Sequence, residues 1–236
     1  MPVHVSQHAR QDVVVIRAVV FDFDGLMVDT ETAMVASWSF EYQQHGFELD
    51  LATFFVDHGG DMTAARYREL ARRVGPSYDH PASHARRIAH RDALPEMQQL
   101  RPGIAAWLAE ADQLGLLRAI ASSSPRDWVR SLLARARCVA SFNALATGDE
   151  VEHPKPDPAV YLLALARLGL PASDTLAVED SPHGVAAAKA AGMPCIAIPN
   201  PYVPTERLAG ADLVLSSATE LSLSQAIATI AERPGT

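Results

Sequence analysis

The chain has 236 residues, of which 48% are hydrophobic and 20% charged, a composition typical of a globular protein rather than a disordered or fibrous one. Its formal net charge of -8 provides no basic field that could hold a polyanion, so we predict neither a nucleic-acid partner nor a membrane partner. The two cysteines, Cys138 and Cys195, lie far apart in hydrophobic runs and give no support to a disulfide scaffold or a cysteine-bound metal.

The N-terminal segment carries no recognisable targeting signal. Residues 1–16 lack the charged start and the hydrophobic stretch of a signal peptide. Every apolar run in the chain is much shorter than the roughly 18 residues that a membrane-spanning helix needs. We therefore expect a poorly ordered leader at 1–16, a cytoplasmic location, and a monomer or homodimer.

Short apolar runs recur along the chain and predict buried strands. They are hydrophobic throughout rather than alternating, which is typical of strands covered on both faces of a parallel sheet. The five runs are 18–22, 117–122, 175–180, 194–198 and 212–216. Between them lie helical patterns that begin at a proline and end at a glycine, from Pro102 to Gly115 and from Pro182 to Gly192. This alternation predicts an α/β fold with a doubly wound, Rossmann-like parallel sheet.

Strands and helices do not alternate over residues 30–98, because this interval contains helical patterns and no convincing strand. Helices are predicted from Thr30 to Gly46, over 61–74 and over 81–93. We therefore predict a helical cap at 30–98, inserted after the first strand of a core formed by 17–29 and 99–236.

The first strand ends in two carboxylates. Asp22 and Asp24 are two residues apart on an extended segment, so both point the same way, and Gly25 allows a sharp turn. Two like charges so close together need a cation nearby. The alternative is an ordinary Asp-x-Asp-Gly turn with no chemistry.

Two further segments carry groups that can bind anions. Ser122, Ser123 and Ser124 follow the second strand and precede a helix, where hydroxyls and free backbone N–H groups can hold an anion. Plain capping of the helix by Ser124 is the alternative. Farther along, Lys155 is held between two prolines, which restrict the direction of its ammonium group. A lysine on an ordinary surface loop is the alternative there.

A second acidic pair, Glu179 and Asp180, ends another apolar strand. Carboxylates at this position can complete an oxygen shell for Mg²⁺. Helix capping by Asp180 or Ser181 is the competing interpretation.

These four segments occur along the chain in the order carboxylate pair, hydroxyl, lysine, carboxylate pair, each after a predicted strand. In this order the sequence resembles the haloacid dehalogenase superfamily of hydrolases, in particular the subgroup with a helical cap after the first strand that includes β-phosphoglucomutase-like phosphatases. The motifs that carry the resemblance are 20-VFDFDGLMVDT-30, 121-ASSSP-125, 152-EHPKPDP-158 and 178-VEDSPHGV-185.

The resemblance implies a Mg²⁺-dependent phosphatase acting on a small phosphorylated metabolite. Asp22 would be the nucleophile that becomes an aspartyl phosphate, and Asp24 would be the general acid and base. Mg²⁺ would be bound by Asp22, Asp24 through its backbone carbonyl, and Asp180, with Glu179 bound directly or through water.

The same resemblance assigns the substrate phosphate to Ser122, the backbone at Ser123, and Lys155. Positioning and charge neutralisation are most of what phosphoryl transfer requires of a protein.

Single residues distinguish between several functions found among related families. Dehalogenases of the superfamily need neither a metal nor the second aspartate, and phosphonoacetaldehyde hydrolases need a cap lysine that this cap lacks. A β-phosphoglucomutase would have a histidine where this chain has Met34, and an arginine near Met62, so both positions favour a phosphatase. A catalytically silent binding module is disfavoured because Asp22 and Asp24 are both present.

Overall fold

A parallel sheet organises the molecule, as the apolar runs predict. The computed structural model describes residues 15–54 and 62–232, so most of the predicted leader 1–16 lies outside the described residues. The strands of the described part are β1 (Ala18–Phe21), β2 (Leu117–Ala121), β3 (Ala144–Ala146), β4 (Thr175–Glu179), β5 (Cys195–Ala197) and β6 (Leu213–Val214). They pair in the order β3-β2-β1-β4-β5-β6, and every pairing is parallel, which confirms the doubly wound α/β fold.

Helices cover both faces of this sheet and fill the segment after β1. Those in the described part are α1 (Thr30–Gln44), α2 (Leu51–Phe54), α3 (Thr63–Val74), α4 (His80–Ala93), α5 (Ile104–Gln113), α6 (Arg126–Arg135), α7 (Ala159–Leu168), α8 (Pro182–Ala190) and α9 (Leu223–Ala231). Across the described ranges, each helix falls short of the length and apolar character that a bilayer crossing requires.

Two details differ from the sequence-based expectation. Strand β3 was not predicted, because it has only three residues, Ala-Leu-Ala, and none of them is β-branched or aromatic, as is typical of strands. Helix α5 begins at Ile104 rather than at Pro102, because Gly103 adopts a left-handed conformation with φ of 86° immediately before it.

The strands are apolar throughout because alternate residues enter two different cores. Val19 and Phe21 pack on one face with Trp107 of α5, in a cluster that also includes α6 and α9. Val20 points to the opposite face, where β1, β2, β4 and β5 present mainly alanines to α7 and α8. These small side chains let Tyr161 of α7 pack at the sheet with no exposed surface.

The helical segment between β1 and β2 has its own hydrophobic cluster. Trp38 lies at its centre with no exposed surface, and Tyr67 of α3 packs against it with ring centroids 4.7 Å apart. Arg87 of α4 is also buried here, with its guanidinium carbon 4.4 Å from the centre of the Trp38 ring. The division into a core (17–29 and 99–236) and a cap (30–98) stays a prediction.

The strand order fixes the place where a ligand can bind. From β1 the chain moves to one side through β2 and β3, and then returns to form β4, β5 and β6 on the other side. The carboxyl ends of β1, β2 and β4 therefore meet at the point where the winding reverses, which is the usual ligand site of doubly wound sheets.

Candidate active site

A cavity of about 530 Å³ opens at this edge of the sheet. Six of the side chains predicted from the sequence line it: Asp22, Asp24, Ser122, Ser123, Lys155 and Asp180. The seventh, Glu179, lies beneath the cavity with no exposed surface. The four predicted segments thus lie together, although 158 residues separate Asp22 from Asp180 along the chain.

Lys155 is the central cation of this site. Its ammonium group donates to Asp22 Oδ1 at 2.5 Å, to Glu179 Oε1 at 2.6 Å and to the backbone carbonyl of Ala121 at 2.8 Å. These three acceptors use the three protons of the ammonium, so its direction is fixed. The side chain is only 6% exposed, which makes this a buried ion cluster rather than a surface salt bridge.

Glu179 is held by groups other than a metal. Tyr161 donates to Glu179 Oε1 at 2.6 Å, while the backbone N–H of Asp180 and the hydroxyl of Ser181 donate to Oε2 at 3.1 and 3.3 Å. A Cβ at Gly184 would collide with the Glu179 carboxyl group, so only glycine fits there. With Lys155 included, both carboxylate oxygens of Glu179 have hydrogen-bond donors.

Burial changes the protonation of these groups. It raises the pKa of Asp22 to about 8, against the opposing attraction of Lys155. Burial likewise raises the pKa of Asp180 well above its usual range, and the charge of Asp22 adds to the effect. Burial alone would lower the pKa of Lys155, but the charges of Asp22 and Glu179 together raise it above its usual range. Burial therefore makes the charged forms of the Asp22 and Asp180 carboxyl groups costly in this site.

Two loops hold Asp180 from opposite sides. Asn200, just beyond β5, donates from Nδ2 to Asp180 Oδ2 at 2.8 Å. Gly25, in the turn after β1, packs so closely on Asp180 that a Cβ would overlap the same oxygen. Gly25 also has φ of 79°, a conformation that other residues rarely adopt. Both features explain why a glycine follows Asp24.

Asp24 is anchored at the start of α6. Its Oδ2 accepts a hydrogen bond from the Ser124 hydroxyl at 2.6 Å, and its Oδ1 accepts one from Trp128 Nε1 at 2.8 Å. A weaker contact comes from the Ser122 hydroxyl at 3.4 Å. These donors keep the Asp24 carboxylate at the wall of the cavity.

The two serines assigned to the phosphate differ in exposure. Ser122 is 1% exposed, and its hydroxyl accepts from the backbone N–H of Ser124 at 3.0 Å. Ser123 is exposed, and its hydroxyl accepts from the backbone N–H of Lys155 at 3.4 Å. The Ser123 backbone carbonyl lies so close to Gly148 that no Cβ fits at that glycine.

Glu31 is a cavity residue that the sequence patterns did not single out. It stands in the first turn of α1 and is the one side chain of that helix on the cavity wall. Burial raises its pKa to about 7, and the nearby charges of Asp24 and Asp29 add to the shift. Glu31 therefore titrates close to neutral pH.

The positions that distinguish a phosphatase from a mutase lie away from this cavity. Met34 packs against the cluster of the helical segment and does not line the cavity. Met62 precedes α3 and lines a separate, smaller cavity of about 210 Å³. The rest of the loop 59–62 lies outside the described residues.

The carboxylates fit a divalent cation. Asp22, Glu179 and Asp180 each offer one oxygen, and these three oxygens lie within 4.8 Å of one another. Hard oxygen donors are the ligands that Mg²⁺ prefers. Asp22 and Asp180 line the cavity, whereas both carboxylate oxygens of Glu179 accept hydrogen bonds from other groups of the protein. The donor set thus suits Mg²⁺ held by Asp22 and Asp180, with Glu179 behind them.

The structure adds supporting residues that sequence reasoning missed. Asn200 lies shortly after the end of β5, so the rule that strand ends converge would have found it. Tyr161 and Trp128 lie inside helices and reach the site through single side chains, so no local pattern distinguishes them from core aromatics.

Comparison with known proteins gives a consistent result. Residues 19–198 match the family of haloacid dehalogenase-like hydrolases. The Bacillus subtilis protein YhcW is 36% identical over 211 residues, which cover 88% of this chain and 94% of YhcW. Hexitol phosphatase B of Escherichia coli K12 is 33% identical over 217 residues, covering 88% of this chain and 95% of that protein.

A solved structure shows the same agreement. CbbY from Rhodobacter sphaeroides, crystallised in complex with phosphate, superposes with a TM-score of 0.70 and is 30% identical. The match covers 89% of this chain and 98% of CbbY, so it includes both the sheet and the helical segment.

Proposed function

The chain belongs to the haloacid dehalogenase-like hydrolase family, and we propose that it is a phosphatase that removes phosphate from small phosphorylated metabolites. We further propose that the reaction depends on Mg²⁺ and passes through an aspartyl phosphate on Asp22. The observation that carries the proposal is the meeting of Asp22, Lys155 and Asp180 on one cavity. Its volume of about 530 Å³ lies within the range of about 300–1,000 Å³ typical of small-molecule sites.

Asp22 is the nucleophile in this mechanism. Its carboxylate attacks the phosphorus, so that a new O–P bond forms on Asp22 while the ester O–P bond breaks. Attack of one anion on another is disfavoured unless positive charge offsets the repulsion. Lys155, fixed by its three acceptors, supplies one such charge beside the Asp22 oxygen.

Mg²⁺ bound at Asp22 and Asp180 would supply Lewis-acid stabilisation of the transferring phosphoryl group. Burial raises the pKa values of both carboxyl groups, so a cation bound beside them would offset the cost of holding them as carboxylates. Asn200 orients Asp180 through its hydrogen bond of 2.8 Å. Supporting hydrogen bonds of this kind fix the direction of a metal ligand.

Asp24 completes the proton transfers. It donates a proton to the departing substrate oxygen, and it then takes a proton from the water that attacks the aspartyl phosphate. This second step releases phosphate and returns Asp22 to its carboxylate form. Asp24 is suited to the task because it lies on the cavity wall two residues from Asp22.

The relatives support a phosphatase more than a phosphosugar mutase. Hexitol phosphatase B is named for the removal of phosphate from a small polyol, and CbbY was crystallised with phosphate. Met34 packs into the helical segment rather than facing the cavity, so it offers no group to assist Asp24.

Phosphate release with and without Mg²⁺ tests the proposal. The purified protein is incubated with an aryl phosphate and with a panel of sugar and polyol phosphates, after EDTA treatment and then with added Mg²⁺. We expect hydrolysis to fall by at least about 100-fold after EDTA and to return with Mg²⁺, because the metal offsets charge in the transition state. Full activity in EDTA would contradict the metal requirement. Interconversion of sugar 1- and 6-phosphates with a bisphosphate activator would instead identify a mutase.

A further inference from the structure

Arg101 joins two loops of the site without touching the cavity. It lies at the point where the chain returns from the helical segment to the sheet, two residues before the left-handed Gly103. Its Nη1 donates to the backbone carbonyl of Gly25, and its Nη2 donates to the backbone carbonyl of Pro199 at 3.0 Å. Its backbone N–H donates to the carbonyl of Met27 at 2.8 Å. Arg101 forms no ion pair with any carboxylate of the described residues.

The two carbonyls that it binds belong to the loops that hold Asp180. Gly25 packs closely against Asp180 Oδ2 and directly follows Asp24 in the sequence. Pro199 precedes Asn200, which donates to the same Asp180 oxygen. One guanidinium group therefore bridges these two loops, 76 residues from Gly25 and 98 from Pro199 along the chain.

We propose that Arg101 is a positioning residue that fixes the turn after β1 and the loop after β5 around Asp180. This proposal rests on the proposed function, since it assigns Asp180 to the metal. A planar guanidinium can donate to two carbonyls in fixed directions, whereas a lysine ammonium acts as a single flexible point. Arg101 also lies on the second connection to the helical segment, so it links that connection to the site.

Metal binding and local hydrogen exchange test this role independently of catalysis. The variants are Arg101→Lys and, as a matched control, Arg118→Lys at the far end of the sheet. Arg118 also donates to a backbone carbonyl, that of Leu108, and to Asp112 Oδ1. Each protein is titrated with Mg²⁺ alone by calorimetry, and amide exchange is followed by mass spectrometry without metal.

We expect Arg101→Lys to weaken Mg²⁺ binding by about 10–100-fold, the usual effect of losing a group that supports a metal ligand. Exchange should accelerate at 22–28 and 199–203 but not in β2 or β4, and kcat should fall with little change in KM. The Arg118→Lys control should match the wild type in all of these measurements.

Three outcomes distinguish the possible failures. Unchanged Mg²⁺ affinity and local exchange in Arg101→Lys would overturn the positioning role and leave the proposed function intact. Uniformly faster exchange would show a general structural role and would also overturn it. A wild-type protein that binds no Mg²⁺ would overturn the proposed metal site and this role together. Partial recovery of the activity of Arg101→Ala by added methylguanidinium would support the role, since the free cation can bind the same carbonyls.

Discussion

Asp22→Asn is expected to lower kcat for phosphate release by about 10⁴-fold or more, the scale seen when a catalytic nucleophile is removed. The amide is nearly isosteric with the carboxylate but cannot form the phosphorylated intermediate. The expected loss is in kcat, because the remaining groups of the cavity still bind the substrate phosphate.

The same variant is expected to keep or raise its thermal midpoint. Burial raises the pKa of Asp22 to about 8, so the folded state disfavours the charged form relative to the unfolded chain. Stability from this group is present at low pH and is lost as the pH rises towards 8. A neutral asparagine avoids that loss, while Lys155 keeps its ion pair with Glu179.

Asp127→Asn is the matched control for this experiment. Asp127 is an exposed residue in the first turn of α6, away from the lining of the cavity. We expect this control to keep wild-type activity and stability. An Asp22→Asn protein that retains a tenth or more of the wild-type kcat would contradict the role of Asp22.

Lys155→Met is the second large effect, and it is expected to reduce both stability and activity. The substitution keeps an unbranched side chain of similar bulk but removes the cation shared by Asp22 and Glu179. Removing one partner of a buried ion cluster leaves uncompensated charge and typically costs about 3–5 kcal/mol. The loss of a positive charge beside the nucleophile should also reduce kcat by about 100-fold or more.

The chain provides an internal control, because Lys189 is its one other lysine. Lys189 pairs with Asp212 near the surface, where its side chain is 41% exposed. Exposed pairs are worth about 1 kcal/mol or less, so Lys189→Met should change stability little and activity not at all. Denaturant unfolding and phosphate release of both variants provide the measurement. Equal effects of the two substitutions would rule out a special role for Lys155.

The sequence predicted the arrangement of the site better than its supporting contacts. Lys155 follows β3, which was not predicted, so its place at the site rested on the family resemblance. For the other groups, continuous apolar runs identified strands buried on both faces, and the convergence of parallel strand ends then brought together Asp22, Ser122 and Asp180. This inference depends on sheet geometry alone and needs no knowledge of side-chain packing.

Supporting residues could not be predicted in the same way. Arg101, Tyr161 and Trp128 reach the site through contacts between distant segments, and their local sequences look like ordinary helix or loop. Strand β3 was missed because Ala-Leu-Ala is equally compatible with a helix. The occupied oxygens of Glu179 depend on Tyr161 and Ser181, so sequence alone could not assign Glu179 between direct and indirect metal binding.

The central claim is that Asp22 carries the phosphoryl group, and trapping that group tests it most directly. Asp24→Asn protein is mixed with an aryl phosphate and Mg²⁺, quenched in acid, and treated with borohydride, which reduces an acyl phosphate to an alcohol. An aryl leaving group needs little protonation, so phosphorylation proceeds, but the water is not activated and the intermediate accumulates. Peptide mass spectrometry should then find homoserine at position 22. Reduction of another carboxyl group would contradict the account. The absence of any reduced residue in a protein that still releases phosphate would contradict it as well.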